Sequence, residues 1–408
     1  MDQQQTSSES NKVDGSTGEL LVPSVADATV TRGKSPEEIH PLARTLEEWV
    51  EVFRGMGEKP FRAKQVYRWL HQDRVFDPDQ MTNLSKALRE KLKKAGVAAP
   101  GQVANVHESA DGTRKILIDF VHGAKIECVM IPMSPDIGVD DYDEEEEDSP
   151  KKRVTLCIST QFGCAMGCVF CASGQSGLFR GLGAAEVVFQ VLVARDYLRP
   201  GEELKNLVFM GMGEPLHHYE ETERSLRLIA RPEGIGMSPR RVTVSTVGLV
   251  PGIRRLGRDF DGKVGLAVSL HATNDAVRSE IMPMNKRYPI AELMKVLHEY
   301  PLPPRKRLTI EYTLIKGKND SLEDADALAR LLRSLRVKVN LIPMNPIEKS
   351  NLEAPEPKQV LAFRERLAAA GISCFVRMRK GDDVSAACGQ LALQSIDPQR
   401  LTRRSPRS

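Results

Sequence analysis

Apolar residues change their spacing twice along the chain, and each change marks a change of architecture. From Thr45 to about Val97 they recur every three to four residues, with Leu46, Trp49, Val50 and Phe53 in one stripe and Val66, Trp69 and Leu70 in another. That spacing predicts a small helical domain. Two β-rich runs follow, Lys115 to Phe120 after an Asp111-Gly112 turn and Ile126 to Ile131 around a His122-Gly123 turn. They read as an antiparallel extension. Strand-like runs then alternate with amphipathic stretches. The strands are expected at Val154–Ser159, Asn206–Met210, Arg241–Thr246, Val264–Leu270, Leu308–Leu314, Val337–Ile342 and Ser373–Val376. Between them Val187, Val188, Val191 and Leu192 form an apolar stripe, as do Leu328, Leu331, Leu332 and Leu335. Repeated β-then-α order predicts an α/β fold, a parallel sheet or partial (β/α) barrel, with reactive groups at the carboxyl ends of the strands.

Polar segments set the expected boundaries. Residues 1–41 carry too few large apolar side chains to offset the entropy of ordering and read as a disordered tail. The helical domain spans 42–100, the β extension 101–135, an acidic loop 136–150 and the α/β core 151–390; a flexible basic tail, 391–408, contains Arg400, Arg403, Arg404 and Arg407. No apolar run approaches about 18 residues, so no membrane partner is expected. The first residues lack a secretory signal, which points to the cytoplasm. Seven cysteines in 408 residues do not make a disulfide framework, and a reducing compartment leaves them available as thiolates. The whole chain carries a net +3, yet Asp140 to Asp148 holds eight acidic residues, so everything else carries +11. Such a surplus fits a polyanionic partner, although scattered surface lysine and arginine is the simpler explanation of it.

The chemistry concentrates in Cys164-Ala165-Met166-Gly167-Cys168-Val169-Phe170-Cys171. Three thiolates on one loop hold three irons of a four-iron cluster and leave the fourth iron open to a small ligand. A structural zinc or a closed cluster needs a fourth ligand nearby, and Cys157, seven residues upstream, is the candidate. Phe209-Met210-Gly211-Met212-Gly213-Glu214-Pro215 follows a predicted strand; Leu216 stands where a dinucleotide fingerprint needs its third glycine, so that reading fails. A plain strand-end turn remains the bland account of it. Cys128 and Cys374 read as small buried hydrophobes. His217 and His218 fit no ligand spacing and read as surface residues.

These motifs together resemble the RlmN/Cfr family of radical S-adenosylmethionine (SAM) RNA-adenine methyltransferases. The resemblance covers Leu46 to Leu391 and includes Gly57-Glu58-Lys59-Pro60-Phe61-Arg62-Ala63, the cysteine run, Met210 to Pro215 and Val242-Thr243-Val244-Ser245-Thr246. It continues through Ser269-Leu270-His271, Ile342-Pro343-Met344-Asn345-Pro346, and Gly381-Asp382-Asp383 leading to Ala386-Ala387-Cys388-Gly389-Gln390-Leu391. The fold it implies is a partial (β/α) barrel of radical SAM type with a small N-terminal helical domain. It implies one 4Fe-4S cluster on Cys164, Cys168 and Cys171, and a SAM site lined by Gly213, Glu214, Ser245, Ser269, Leu270, His271 and Asn345. Without the resemblance, His271 reads more simply as a hydrogen-bonded core histidine at a strand end and Asn345 as a turn residue before Pro346.

Two SAM molecules are implied per turnover: one methylates Cys388, and the second, reductively cleaved on the cluster, yields a radical that activates the S-methyl group. The activated methyl group adds to an adenine carbon, Glu127 accepts the ring proton, and Cys157 releases the product through a transient disulfide. The implied partners are 23S rRNA and tRNA, with an electron donor such as flavodoxin or ferredoxin. Arg240-Arg241, Lys286-Arg287-Tyr288, Arg305-Lys306-Arg307 and Arg377-Met378-Arg379-Lys380 are expected phosphate contacts near the mouth of the site.

Two departures from the family pattern stand out. Gly181 follows Arg180 where the family usually has Asn, and His217-His218-Tyr219 replaces a Leu/Asn-rich sequence. Gly213-Glu214-Pro215 and Arg379 to Asp383 favour the C2-directed RlmN branch over the C8-directed Cfr branch. A non-catalytic iron-sulfur or zinc RNA-binding protein is the rival reading. It needs none of Cys157, Glu127 and Cys388.

Overall fold

The computed structural model describes residues 35–121, 123, 125–133, 151–347, 350–377 and 379–391. The polar tail before residue 35, the acidic loop and the arginines beyond residue 391 lie outside the described residues.

Three helices come first: α1 (Leu46–Gly55), α2 (Phe61–His71) and α3 (Lys86–Lys94). At the start of α1 the Glu48 N–H donates to the Thr45 hydroxyl (3.2 Å), and the Thr45 N–H donates to the Glu48 carboxylate (2.7 Å). This reciprocal cap satisfies two otherwise orphaned donors and fixes the helix start. Trp49, Val52 and Phe53 on its inner face are buried. Part of the segment assigned to the polar tail is packed instead. The Arg44 guanidinium donates to the carbonyls of Pro36 (2.7 Å) and Ile39 (2.9 Å), and Ile39 and Pro41 are buried.

The remaining elements run in the order β1 (Gly101–Glu108), β2 (Arg114–Phe120), β3 (Lys125–Pro132), β4 (Lys152–Cys157), β5 (Gln161–Gly163), α4 (Ala172–Gln175), β6 (Leu178–Gly181) and α5 (Ala184–Asp196). Then come β7 (Glu202–Phe209), α6 (Tyr219–Ala230), β8 (Val242–Thr246), α7 (Val250–Phe260), β9 (Gly265–Ser269), α8 (Asp275–Ile281), α9 (Ile290–Glu299), β10 (Leu308–Leu314), α10 (Leu322–Leu332), β11 (Val337–Pro343), α11 (Pro357–Ala369) and β12 (Ser373–Val376). β1 was not marked as a strand by its apolar pattern, because its side chains are all half-buried or exposed. The helical domain docks on the core through ion pairs from α6 and the residue after it: Arg224 to Glu48 (2.8 Å) and Arg231 to Glu47 (2.6 Å).

One ten-stranded sheet, ordered β1-β2-β3-β4-β7-β8-β9-β10-β11-β12, organises the molecule. β1 to β4 pair antiparallel; from β4 onward every pairing is parallel. This is the expected partial (β/α) barrel, extended at one edge by three strands. Register determines which side chains share its inner face. Cys157 pairs with Val208 and Val208 with Thr243; Ser245 pairs with Ala267; Ser269 aligns with Glu311 and Glu311 with Asn340. Side chains two apart on a strand point the same way, so Cys157, Ser245, Ser269, Glu311 and Asn340 face one interior. Val129 pairs with Cys157, which puts Glu127 on that face too.

Candidate active site

The cysteine loop leaves β5 and returns along β6, and the small hairpin clamps its base. Cys164 N–H donates to the Gly177 carbonyl (2.9 Å). Gly163 adopts φ +81°, and a Cβ there would lie 1.9 Å from that same carbonyl oxygen, so only glycine closes the hairpin. Cys164, Cys168 and Cys171 all border an open cleft, about 950 Å³ with the solvent space at its mouth included, at the carboxyl ends of the parallel strands. Burial is the largest influence on each of the three thiols and pushes its pKa up; the charge of neighbouring cysteines adds to this at Cys164 and Cys168.

Gly213, Glu214, Ser245, Ser269, His271 and Asn345 border the same cleft. Leu270 does not; it is buried behind the wall, its N–H donating to the Glu311 carbonyl (3.1 Å). Gly213 has φ +103°, and a Cβ would meet Gln161 at 2.5 to 2.7 Å, including its backbone nitrogen. The Glu214 carboxylate joins two strand ends: Leu216 N–H donates to one oxygen (3.0 Å) and Val247 N–H to the other (2.8 Å). Burial raises its pKa to about 7 against those bonds. With both oxygens engaged by backbone, the carbonyls of this turn are the more available acceptors for a ligand ammonium.

His271 combines the two readings the sequence left open. It borders the cleft, yet it is hydrogen-bonded in the core: Thr313 N–H donates to Nδ1 (2.8 Å), and the ring meets Phe170 of the cysteine loop edge-on at 4.7 Å. Burial, with Arg278 adding to it, lowers its pKa to about 3, so the imidazole is neutral.

Cys388 reaches the cleft because residues 386–391 dock on the cysteine loop. Ala172 N–H donates to the Gly389 carbonyl (2.8 Å), the Ser173 hydroxyl to the Leu391 carbonyl (2.6 Å), and Asn345 Nδ2 to the Cys388 carbonyl (2.8 Å). Cys388 is exposed by surface area, while its surroundings act on the thiol as burial and raise its pKa. Cys388 borders the cleft. Cys157 is buried outside the cleft lining; burial raises its pKa and Cys388 is the next largest influence, so the two sulfurs lie within electrostatic reach. Both are free thiols, and no disulfide joins any of the seven cysteines. Glu127, also buried, forms an ion pair with Lys115 (2.9 Å).

The donor set fits an open cluster. Three soft thiols converge on one cleft with room beside them for a small ligand, and Cys157 is not among the lining residues. Among the described residues no three His, Cys, Asp or Glu side chains gather around one ion position, whereas each thiolate of a cubane binds a different iron.

Several placements differ from expectation. Arg240 and Arg241 precede β8, and Arg305 to Arg307 precede β10; in parallel strands this is the end opposite the cleft. Lys306 Nζ donating to the Arg240 carbonyl (3.3 Å) confirms that the two groups sit together there. Lys286 and Arg287, after β9, and Arg377, Arg379 and Lys380, after β12, are at the cleft end. Cys128 is buried, but Cys374 is only partly so. His217 is half-buried and bonded to Gln161 Nε2 (3.0 Å), not a free surface residue. A Cβ on Gly181 would lie 2.7 Å from the exposed His218 ring, so the two departures from the family pattern occupy one contact. Sequence reasoning missed Glu311, which borders the cleft and accepts from Asn340 Nδ2 (2.9 Å). The acidic position within the otherwise apolar run Leu308–Leu314 was the available signal.

Comparison with known proteins agrees with this geometry. Residues 42–97 match the family model described as ribosomal RNA large subunit methyltransferase N-terminal domain, and residues 158–332 match the radical SAM superfamily. A protein of Sorangium cellulosum named dual-specificity RNA methyltransferase RlmN is 53% identical over 88% of this chain and 97% of its own. One of the same name from Syntrophotalea carbinolica is 45% identical over 85% and 88%. The crystal structure of a radical SAM methyltransferase from Sphaerobacter thermophilus, 42% identical, superimposes with a TM-score of 0.79 over 86% of this chain and 99% of that one.

Proposed function

The chain belongs to the RlmN family of radical SAM RNA methyltransferases, and we propose that it methylates C2 of adenine in 23S rRNA and in tRNA through a methyl group carried on Cys388. The observation that carries this reading is the docking of residues 386–391 on the cysteine loop, which brings Cys388 into one cleft with Cys164, Cys168 and Cys171 and within electrostatic reach of Cys157. A binding module has no use for that constellation.

Adenine C2 is an electron-poor carbon without a nucleophilic lone pair, so polar methyl transfer from SAM does not reach it. When bound by Cys164, Cys168 and Cys171, a 4Fe-4S cluster, fed by a donor such as flavodoxin or ferredoxin, supplies one-electron cleavage of SAM. Gly213, Ser245, Ser269, His271 and Asn345 shape the SAM pocket; Leu270 supports it from behind, and the Glu214 carboxylate fixes the two loops that form it. Cys388 loses its proton and takes the methyl group on sulfur; that S-methyl group then gives one hydrogen atom to the fragment of the second SAM, its carbon bonds the base, and the one surplus electron would return to the cluster. Glu127, on the same inner face as Cys157, accepts the proton from the ring carbon. Cys157 then attacks the Cys388 sulfur; the S–S bond forms, the S–C bond breaks, and the released carbon takes up a proton as the methyl group. A thiol reductant restores both cysteines. Two SAM molecules are consumed per product, one by each route. The target adenine must leave its stack to enter the cleft.

The test is turnover of anaerobically reconstituted variants on RNA, followed by denaturing gels, RNase digestion and mass spectrometry. Cys388→Ala should form no methyl-adenosine, and Cys157→Ala should accumulate a protein–RNA adduct through Cys388 with its iron content unchanged. Normal turnover by either variant overturns the reading, and a methyl group at C8 assigns the other branch of the family.

A further inference from the structure

Arg278, on α8, is 1% exposed and lies directly behind the wall of the cleft. Its Nε donates to the Leu270 carbonyl (2.9 Å), Nη1 to Asn285 Oδ1 (2.9 Å) and at 3.5 Å to the Tyr288 carbonyl, and Nη2 to the carbonyls of Val247 (2.7 Å) and Ser269 (3.1 Å). Every acceptor is neutral. Among the described residues no carboxylate stands within ion-pair distance of this guanidinium. The Asp275 carboxylate acts on it only through space, being engaged by Asn285 Nδ2 (3.0 Å) and Ile290 N–H (2.9 Å).

A buried cation without an ionic partner is expensive, and such charges are ordinarily paired or coordinated. Burial lowers the pKa of Arg278 to about 10, which still leaves it charged at neutral pH. Cys168 and Asp275 are the two acidic groups within its electrostatic reach. The cysteine loop leans on the same segment: Val169 N–H donates to the Ile281 carbonyl (3.1 Å), and Gly167 packs towards Pro283. A Cys168 thiolate bound to iron would therefore add to the compensation that Asp275 gives this fixed charge through space. Meanwhile Val247 and Ser269, whose carbonyls it holds, both border the cleft.

We propose that Arg278 is a positioning residue that ties the ends of β8 and β9 together and sets a fixed positive charge behind Cys168, raising the reduction potential of an iron-sulfur cluster bound there. The inference rests on the cluster assignment above. An electron added to the cluster increases its negative charge, so a nearby cation favours the reduced state.

The experiment is a potentiometric titration of the reconstituted full-length protein, read by electron paramagnetic resonance, with iron content measured on each sample. Arg278→Gln should move the reduction equilibrium on the order of tenfold towards the oxidised cluster, which is 59 mV for a one-electron couple. Arg278→Lys, which keeps the charge and loses most of the bonds, should stay within about threefold of the wild type. Asp275→Asn, which removes the opposing carboxylate, should shift the equilibrium at least about twofold towards reduction; it decides the matter if the Gln variant holds no iron. A Gln variant within about twofold of the wild type, a Lys variant that shifts as far as the Gln variant, or an Asp275→Asn shift that is absent or reversed overturns the charge role. Wild-type protein that takes up no iron overturns the cluster assignment and this inference with it.

Discussion

Restoring the family's Asn at position 181 should be harmful or helpful according to what stands at 218. The Cβ it adds would lie 2.7 Å from His218 Cδ2 and 2.9 Å from Nε2, closer than real Cβ contacts. The ring is backed by His217 at a centroid distance of 4.7 Å, so moving it disturbs a second side chain that itself bonds Gln161. Overpacking costs about 1–3 kcal/mol in a close-packed core, and the exposed His218 ring puts this contact at the lower end of that range. Replacing glycine within a strand returns about 0.5–1 kcal/mol, because the unfolded chain loses freedom. Gly181→Asn alone should therefore be neutral or destabilise by up to about 0.5 kcal/mol. In the His218→Asn background the clash is gone and the same change should be neutral or stabilising by about 0.5 kcal/mol. The coupling in the double-mutant cycle, measured by urea unfolding of the apo protein, should be about 1 kcal/mol. Additivity within about 0.5 kcal/mol would refute the claim that the two departures form one contact.

Gly213→Ala combines a left-handed φ with an unavoidable contact against the Gln161 backbone; equilibrium dialysis should show SAM affinity down at least about tenfold, on the order of 1.4 kcal/mol, and retained affinity would contradict the close-approach argument. Asn345→Ala removes the bond to the Cys388 carbonyl, worth about 0.5–1.5 kcal/mol, so hydrogen exchange at residues 386–391 should accelerate roughly threefold to tenfold with little change in global stability. His71 is fully buried, and burial lowers its pKa to about 3. The unfolded chain, with a histidine pKa near 6.5, binds this proton first, so the stability it contributes is complete above pH 6.5 and falls as pH drops towards 3. Urea unfolding should lose up to about 1.4 kcal/mol per pH unit from this group, and His71→Leu should flatten the slope; an unchanged slope would exclude the assignment. RNA affinity should fall steeply with salt if Lys286, Arg287, Arg379 and Lys380 meet phosphate, and a filter-binding series in which it stays constant would remove them from the interface.

The sequence by itself determined the elements whose signal is local. The strand at Leu308–Leu314 is found where its pattern placed it, and so is Ser373–Val376; period-2 and period-3.6 burial depend only on neighbours along the chain. The cysteine spacing is equally local, since three thiols on one short loop meet wherever the loop goes. β1, with no fully buried side chain, left no such trace. Nor did the packing of Ile39, which depends on Arg44 drawing in the preceding turn.

What required the tertiary structure is everything that joins distant segments. Only the parallel direction of the strands sorts the basic groups, sending Arg240 and Arg305 to the end away from the cleft although nothing in their own sequence distinguishes them from Arg287 or Arg379. Only the docking of residues 386–391 on α4 brings Cys388 to the loop of Cys164. Arg278 reads as an ordinary polar position on a short helix; its burial among five neutral acceptors arises from loops that follow three different elements. A side chain's type sets which bonds it can make, while the electrostatic environment that gives those bonds their chemical consequence is assembled from residues far apart in the chain, and folding alone brings them together.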